Sequence, residues 1–301
     1  MARVTVAAHA KVNLHLAVGG TRPDGYHDVV TVLHTVDLAD EVSAEPADSL
    51  SLVCEPDLGL PAEENLALRA AVAAGAALER EPALAIRLRK AIPARAGLGG
   101  GSADAAAVLR AAARLWEVDA GDPRIVGAAR TLGADVPFLL MGGAALFSGR
   151  GDELVRLLPA LSAPVVLAFP GEPVPTPAAY AAFDRLAHRD GRSPGARRSA
   201  EAMVAALEAR DAAAVSRNLY NDLTAASVAV APVVADVLEA VRSQPGVMGA
   251  LPAGSGSAVF GITEDDEAAR EAAGALRERG WWTRSARLSR GAPERIEEDL
   301  R

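Results

Sequence analysis

The sequence predicts an α+β fold in two domains, residues 1–160 and 161–301, with a ligand cleft between them. Three observations lead there. Runs that alternate apolar and polar residues with period two repeatedly give way to apolar positions at helical spacing, so strands and helices are mixed along the chain. Two glycine loops, at 97–101 and 254–256, lie far apart in sequence, and each follows a strand-like run. The densest proline stretch, 170–177, begins just after the passage between the two halves.

From the N-terminus, Val12, Leu14, Leu16 and Val18 alternate with Lys11, Asn13, His15 and Ala17, which predicts a strand with one core face and one polar face. Gly19-Gly20 and Asp24-Gly25 make a turn-rich loop, and Tyr26-His27 leads into a second strand through Val29, Val30, Val32 and Leu33. A third strand is expected near residues 50–54. Between Pro61 and Arg80, Leu66, Ala70 and Ala77 have helical spacing, with Glu63 and Glu64 at the start and Arg80 at the end, as the helix dipole favours. Leu84, Ile86 and Leu88 alternate into a strand that Pro93 ends. Val108, Ala112 and Leu115 then fall at i, i+4 and i+7, a helix over 102–116. Asp122-Pro123 opens another helix, and Pro137 is expected to limit any helix in 132–138. Strands are expected around 144–148 and 164–169. The second half reads as mostly helical to about Arg242, with a polar loop at 190–198, and closes with strands at 248–251 and 257–262, a helix over 264–279 and a strand over 281–288.

The junction of strand and helix within residues 92–115 carries the strongest chemical signal. Gly97, Gly99, Gly100 and Gly101 let the backbone take positive φ and approach a ligand, and the first N–H groups of the following helix have no partner within it. A helix start of this kind suits phosphate, while a glycine cluster that merely joins strand to helix has the same composition. The register excludes two commoner phosphate loops. A P-loop needs Gly-Lys-Ser/Thr where Gly101 is followed by Ser102 and Ala103, and a dinucleotide fingerprint needs a third glycine where Ser102 stands. His188-Arg189-Asp190 imitates a protein-kinase catalytic loop, but Gly195 occupies the position of its magnesium-binding Asn and no Asp-Phe-Gly occurs.

Composition narrows the functional classes. With 301 residues, 50% hydrophobic and 23% charged, the chain can bury two cores. A formal charge of −8 without concentrated Lys or Arg argues against a nucleic-acid partner. Cys54 stands alone, so it reads as a buried, hydrophobe-like thiol in a cytoplasmic protein without disulfides. Lys11, Asn13 and His15 interrupt the first apolar run, so neither a signal segment nor a membrane anchor is expected. No Cys/His metal cluster is evident, and the oligomeric state stays open. Of 31 basic side chains only Lys11 and Lys90 are lysines, which marks both as places for a compact point charge.

Phosphoryl transfer to a hydroxyl needs bound phosphates, a cation near the moving charge, usually with Mg²⁺, and a proton acceptor. Lys11, in Ala-Lys-Val-Asn-Leu, supplies the cation if it faces a site, although the pattern also allows a solvated lysine on an exposed sheet face. Asp135, in Gly-Ala-Asp-Val-Pro, supplies a carboxylate, although by itself it reads first as the organiser of a turn. In a chain only 4% aromatic, Tyr26, His27 and Tyr180 offer rings that either hold a flat ligand or cap the core.

The run Pro93-Ala-Arg-Ala-Gly-Leu-Gly-Gly-Gly-Ser-Ala-Asp-Ala-Ala106 resembles the second motif of the GHMP kinases, a superfamily that phosphorylates galactose, homoserine, mevalonate and related hydroxyl compounds. Ala-Lys-Val-Asn-Leu, Gly25-Tyr-His27, Leu132-Gly-Ala-Asp-Val-Pro137 and Pro175-Thr-Pro177 extend the resemblance, from about residue 8 to 262, to its isoprenoid-pathway branch. The resemblance implies the two-domain GHMP kinase fold with its active site in the cleft, and ATP and Mg²⁺ as cofactors. It puts Pro93, Ala94, Arg95, Ala96, Gly97, Leu98, Gly99, Gly100, Gly101, Ser102, Ala103 and Asp104 at the ATP phosphates, with Asn65 and Lys90 near the adenine. Lys11 would be the catalytic lysine and Asp135 the base. The implied partner is a small molecule carrying a cytidine diphosphate group: Asn13 would hold its polyol, Tyr26, His27 and Tyr180 its cytosine, and Thr176 would lie nearby. Gly254, Ser255 and Gly256 would close on the site from the second domain, and Mg²⁺ would be held mainly by nucleotide and water, with no protein metal cage.

Arg95 and Ala96 stand where relatives often have glycine or another small residue, Thr224 follows Asn221-Asp222-Leu223 where an acidic residue is common, and Ala253 replaces a Ser or Thr. None of these removes a proposed catalytic group. A GHMP kinase of the mevalonate or homoserine type has no reason for Gly-Tyr-His with Pro-Thr-Pro, and a non-catalytic nucleotide-binding protein has no need of both Lys11 and Asp135.

Overall fold

The computed structural model describes residues 3–59, 61–189 and 198–291. The polar loop expected at 190–198 lies, apart from Arg198, outside the described residues, as does Gly195. The first half runs β1 (Val4–Thr21), β2 (His27–Pro46), β3 (Ser51–Glu55), α1 (Leu66–Leu78), β4 (Leu84–Arg89), α2 (Gly100–Leu115), α3 (Pro123–Leu132), α4 (Val136–Met141), β5 (Ala144–Ser148) and β6 (Glu153–Leu158). The second runs β7 (Ala163–Phe169), α5 (Thr176–Arg189), α6 (Glu201–Glu208), α7 (Ala212–Arg217), β8 (Tyr220–Asn221), α8 (Thr224–Val230), α9 (Val233–Arg242), β9 (Val247–Pro252), β10 (Val259–Thr263), α10 (Asp266–Arg277) and β11 (Trp282–Leu288).

β2 is the hub of the first sheet. It pairs antiparallel with β1 along most of its length, with β5 through its first half and with β4 through its second. β3 runs parallel to β4, and β6 runs antiparallel to β5. In the second sheet β7 lies between β10 and β11, and β9 pairs with the other edge of β10. The two sheets meet in a single ladder pair, Leu288 with Val36. β8 crosses between the halves, adding two residues parallel to His15 and Leu16 of β1. The second half is therefore anchored on the strand that carries Lys11.

Several local expectations change. Lys11 to Val18 are buried on both faces of β1, because α2 packs on the sheet while residues of the second half cover the polar face. α2 starts at Gly100, two residues earlier than its apolar spacing indicates, with Gly99 at φ 75 as its N-cap and no capping side chain. α1 starts at Leu66, where the Asn65 side chain accepts the Ala67 N–H, and it ends before Arg80 with Glu79 in a left-handed conformation. Pro137 opens α4 instead of limiting it, since proline in a first helical turn gives up no helical hydrogen bond. β6 was not legible, because every residue from Glu153 to Leu157 is exposed and no alternation marks it. Cys54 is only half-buried on β3, with its thiol donating to the Pro56 carbonyl at 3.4 Å, and burial pushes its pKa up.

The core beneath the 97–101 glycine loop is built from small side chains. Ala103, Ala105, Ala106, Ala107, Ala111, Ala112 and Ala113 of α2 are all buried. Helix axes come closer when the side chains between them are small, so α2 sits tight against β1, β2 and α1.

His34, fully buried on β2, ties this sheet to the chain leading into β7. Its Nδ1 donates to the Thr35 carbonyl at 2.8 Å, and its Nε2 accepts the Leu161 N–H at 2.9 Å, which requires the neutral ring. Burial pushes its pKa from 6.5 to about 4. The unfolded chain takes up this proton near its ordinary pKa and the native chain does not, so the contribution is complete above the unfolded pKa. It falls away as pH drops towards 4, by roughly 3 kcal/mol in all. Urea unfolding between pH 7 and 4 is expected to give a shallower pH dependence for His34→Gln than for the unaltered chain; parallel curves would assign the slope to other groups.

Candidate active site

Two cavities flank the glycine loop, one of about 640 Å³ and one of about 540 Å³, and Gly97, Gly99 and Ser102 line both. Gly99 makes the shared wall possible. It has positive φ, and a Cβ there would lie 2.9 Å from Lys11 Cγ. With no side chain capping α2, the N–H groups at its start have no acceptor within the helix and remain available at the smaller cavity.

In the larger cavity, Lys11 is 5% exposed. Its backbone N–H donates to the Leu98 carbonyl at 2.9 Å, beside an irregularity in the β1–β2 register. Its ammonium donates to Asn13 Oδ1 at 2.9 Å and lies 3.3 Å from Asp135 Oδ2. Asn13 in turn donates to Thr31 Oγ1 at 2.9 Å, and Thr31 to the His15 carbonyl at 2.8 Å, so the polar face of β1 is a connected chain of bonds. Asp135 occupies the N-cap position of α4 without capping it, which leaves its carboxylate, about a third exposed, turned to Lys11 and the cavity.

The second glycine loop covers this centre. Gly254 has φ 58, and a Cβ there would lie 3.3 Å from Lys11 Nζ and 3.4 Å from Asn13 Oδ1, so any side chain would be strained and would crowd the ammonium. The Ala258 N–H donates to the Ala96 carbonyl at 3.0 Å and joins the two loops. Asn221 of β8 pins the second loop from behind: its Nδ2 donates to the Pro252 and Gly254 carbonyls at 3.1 and 2.7 Å, and its Oδ1 accepts the Leu223 N–H. Ser227 Oγ donates to the Ser255 carbonyl at 2.8 Å, and Thr176 and Ser255 share a hydroxyl bond at 3.0 Å. Gly254 and Ser255 line the cavity, whereas Gly256 lies behind them against Gly97.

At the far end of this cavity the His27 ring stacks on Tyr180 at 5.0 Å, and its Nε2 lies 2.7 Å from Asp184 Oδ1. The resemblance puts Tyr26 and His27 at one side of a base and Tyr180 at the other; here the rings of His27 and Tyr180 lie against each other. Asp184, one turn beyond Tyr180 on α5, draws the imidazole onto the phenol, while Tyr26 is 58% exposed with the Arg150 guanidinium 5.3 Å from its ring centre. Burial and then the Asp135 carboxylate push Tyr180 up to about 12.

The smaller cavity is lined by Asn65, Lys90, Pro93 to Gly97, Gly99 to Ser102 and Asp104. Leu98 and Ala103 turn their side chains into the core. The Asn65 oxygen is occupied in capping α1. Lys90 is bonded to both Asp40 and Asp104, the latter at 2.6 Å, and Asp40 also accepts the Ile92 N–H at 2.8 Å. Burial acts to lower the Lys90 pKa, but Asp104 and Asp40 outweigh it and raise the value. Burial, with Asp40 nearby, raises that of Asp104 against the pull of Lys90. The second oxygen of Asp104 is buried without a hydrogen-bond partner.

Asp40, Asn221, Asp184 and Arg150 were missed as site residues. The spacing of Tyr180 and Asp184 at i and i+4 was open to sequence reading; Asp40 and Arg150 carry no pattern of their own, and Asn221 reads only as a helix start.

A buried lysine paired with a partly open carboxylate in one cavity, with a glycine-rich helix start in the wall shared with a second, is the arrangement that a small-molecule kinase needs. The sequence matches the profile "GHMP kinases N terminal domain" over residues 65–143 and "GHMP kinases C terminal" over 203–280. Among its relatives are proteins named 4-diphosphocytidyl-2-C-methyl-D-erythritol kinase from Pelotomaculum thermopropionicum, 43% identical with 91% of this chain and 94% of that protein covered, and from Streptomyces avermitilis, 42% identical with 96% of each covered. A crystal structure titled 4-(cytidine 5'-diphospho)-2C-methyl-D-erythritol kinase superposes with a TM-score of 0.76 at 38% identity, covering 96% of this chain and all of that one. Homoserine kinase from Cytophaga hutchinsonii, 20% identical with a TM-score of 0.72 and 97% and 96% of the two chains covered, shares the fold. The chain belongs to the GHMP kinases, in the branch formed by the 4-diphosphocytidyl-2-C-methyl-D-erythritol kinases.

Asn221→Ala leaves two buried carbonyls of the second loop without their donor, which is expected to cost about 1–3 kcal/mol of stability and to lower kcat about tenfold by loosening the cover over Lys11. Denaturant titration and steady-state kinetics check both; a stability loss with kcat intact would make the residue purely structural.

Proposed function

We propose that this chain transfers the terminal phosphoryl group of ATP to the 2-hydroxyl of 4-diphosphocytidyl-2-C-methyl-D-erythritol, a cytoplasmic step of isoprenoid precursor synthesis. The observation that carries the reading is the shared wall of Gly97, Gly99 and Ser102. A triphosphate lying along the start of α2 from the smaller cavity would bring its terminal group to the Lys11–Asp135 pair in the larger one. The names of the relatives supply the acceptor, and the larger cavity suits it, with polar groups at Asn13 and Thr31 and rings at His27 and Tyr180.

Asp135 takes the hydroxyl proton as the oxygen attacks phosphorus; the bond to the bridging oxygen breaks and ADP leaves. Lys11 stabilises the charge on the moving group, and its burial makes that interaction stronger than in water. Asn13 holds the ammonium in line. Mg²⁺ carried on the nucleotide would neutralise charge on the phosphates, and Ser102 and Asp135 are hard oxygen donors that suit it. Among the described residues no helix is long and apolar enough to cross a membrane.

Asp135→Asn and Lys11→Ala are each expected to lower kcat about 10²-fold or more in a folded protein, the usual scale for a general base or a charge stabiliser. ATP consumption with the cytidine substrate, beside mevalonate and homoserine, checks the assignment, and near-normal turnover by Asp135→Asn would end the base role. Tyr180→Ala is expected to weaken the cytidine substrate by about 1–3 kcal/mol through loss of stacking, with ATP affinity unchanged. Titration calorimetry with each ligand separates the two.

A further inference from the structure

We propose that Thr31 is a positioning residue for phosphoryl transfer: its hydroxyl fixes which way the Asn13 amide faces, and that amide holds the Lys11 ammonium beside Asp135. The inference rests on Lys11 as the charge stabiliser but not on which alcohol is phosphorylated.

Hydrogen-bond direction singles out this side chain. A carbonyl oxygen only accepts, so the Thr31 hydroxyl spends its one proton on the His15 carbonyl at 2.8 Å. Towards Asn13 its oxygen is left to accept, and Asn13 presents Nδ2 to it at 2.9 Å. The amide oxygen is thereby turned the other way, where Lys11 Nζ, a group that only donates, meets it at 2.9 Å. Each bond in the series permits one direction, and the series starts from a backbone carbonyl held by the strand.

Burial and strand geometry add independent observations. Thr31, Asn13 and Lys11 are 3%, 4% and 5% exposed, so bulk water is no substitute partner for any of them. The β1–β2 register shifts on both sides of the Lys11–Asn13 segment, between His9 and Lys11 and between Asn13 and His15. Such irregularities disrupt a ladder and re-aim its side chains, and here Thr31 gives the His15 carbonyl a side-chain donor. Thr31, Asn13, Lys11 and Asp135 all line the larger cavity, where the ammonium lies 3.3 Å from Asp135 Oδ2. Without the hydroxyl the buried Nδ2 has lost its acceptor, and an amide that turns to find another takes its oxygen away from Lys11.

Steady-state kinetics of the full chain, with the alcohol it phosphorylates, test the assignment, and denaturant titration shows that each variant is folded. Thr31→Val keeps the shape and removes the hydroxyl; it is expected to lower kcat about tenfold with KM for ATP nearly unchanged. Thr31→Ser restores the hydroxyl and should recover most of that loss. Asn13→Ala removes the amide through which Thr31 acts, so adding Thr31→Val to it should lower kcat no further. Should Thr31→Val fail to fold, Thr31→Ser against Thr31→Ala reads the same oxygen. Unchanged kcat in a folded variant without the hydroxyl, multiplied losses in the double variant, or no recovery with serine would overturn the proposal. Lys11→Ala, measured separately, decides the parent reading on its own, since near-normal turnover there would end the role of Lys11 itself.

Discussion

An ammonium group taken out of water is the constraint on which this structure turns. A buried charge left unpaired costs several kcal/mol, and Lys11 meets that cost with a carboxylate and an amide oxygen. Both partners come from the first half of the chain, and the second half covers them. β1 shifts register next to Lys11, Asp135 forgoes its helix cap, and Gly254 of the 252–256 loop comes close to the ammonium.

The two lysines make an instructive pair. Lys90 is enclosed by two carboxylates, one of which is also tied to the backbone, so its charge is spent on building the wall of the smaller cavity. Lys11 has one carboxylate, and that carboxylate is partly open to the cavity. Its charge is therefore only partly neutralised and remains able to act on something brought alongside. The same residue type, in the same fold, is closed off in one case and left facing a cavity in the other because of the count and exposure of its acidic neighbours.

Most of the architecture was legible in the hydrophobic pattern. β3, β4 and β11 bury one face and follow their alternation, β7 and β10 are buried on both faces and read as short apolar runs, and α1, α2, α3 and α10 follow helical spacing. The candidate site residues were named through motifs, and the structure brings Lys11 and Asp135 into one cavity, Asn65 and Lys90 into the other, and part of the glycine loop into both. The rest depended on contacts between distant segments. Asp40 reaches Lys90 from 50 positions away, and Asn221 holds Gly254 from 33 away, and neither separation leaves a local pattern. Pro137 was misread because proline at a helix start and proline against a helix look alike until the cap is located, and β6 lacked the half-buried alternation that identifies a strand.

The alanines of α2 have a consequence beyond packing. Seven buried methyl groups point to several sides of the helix, and the helix is packed against α1, α4, β1 and β2 at once. A wedge on any of these sides has nowhere to go without moving the helix as a body, and the glycine-rich start of the helix moves with it. The plainest residues in the chain thus set where its most chemically loaded loop begins.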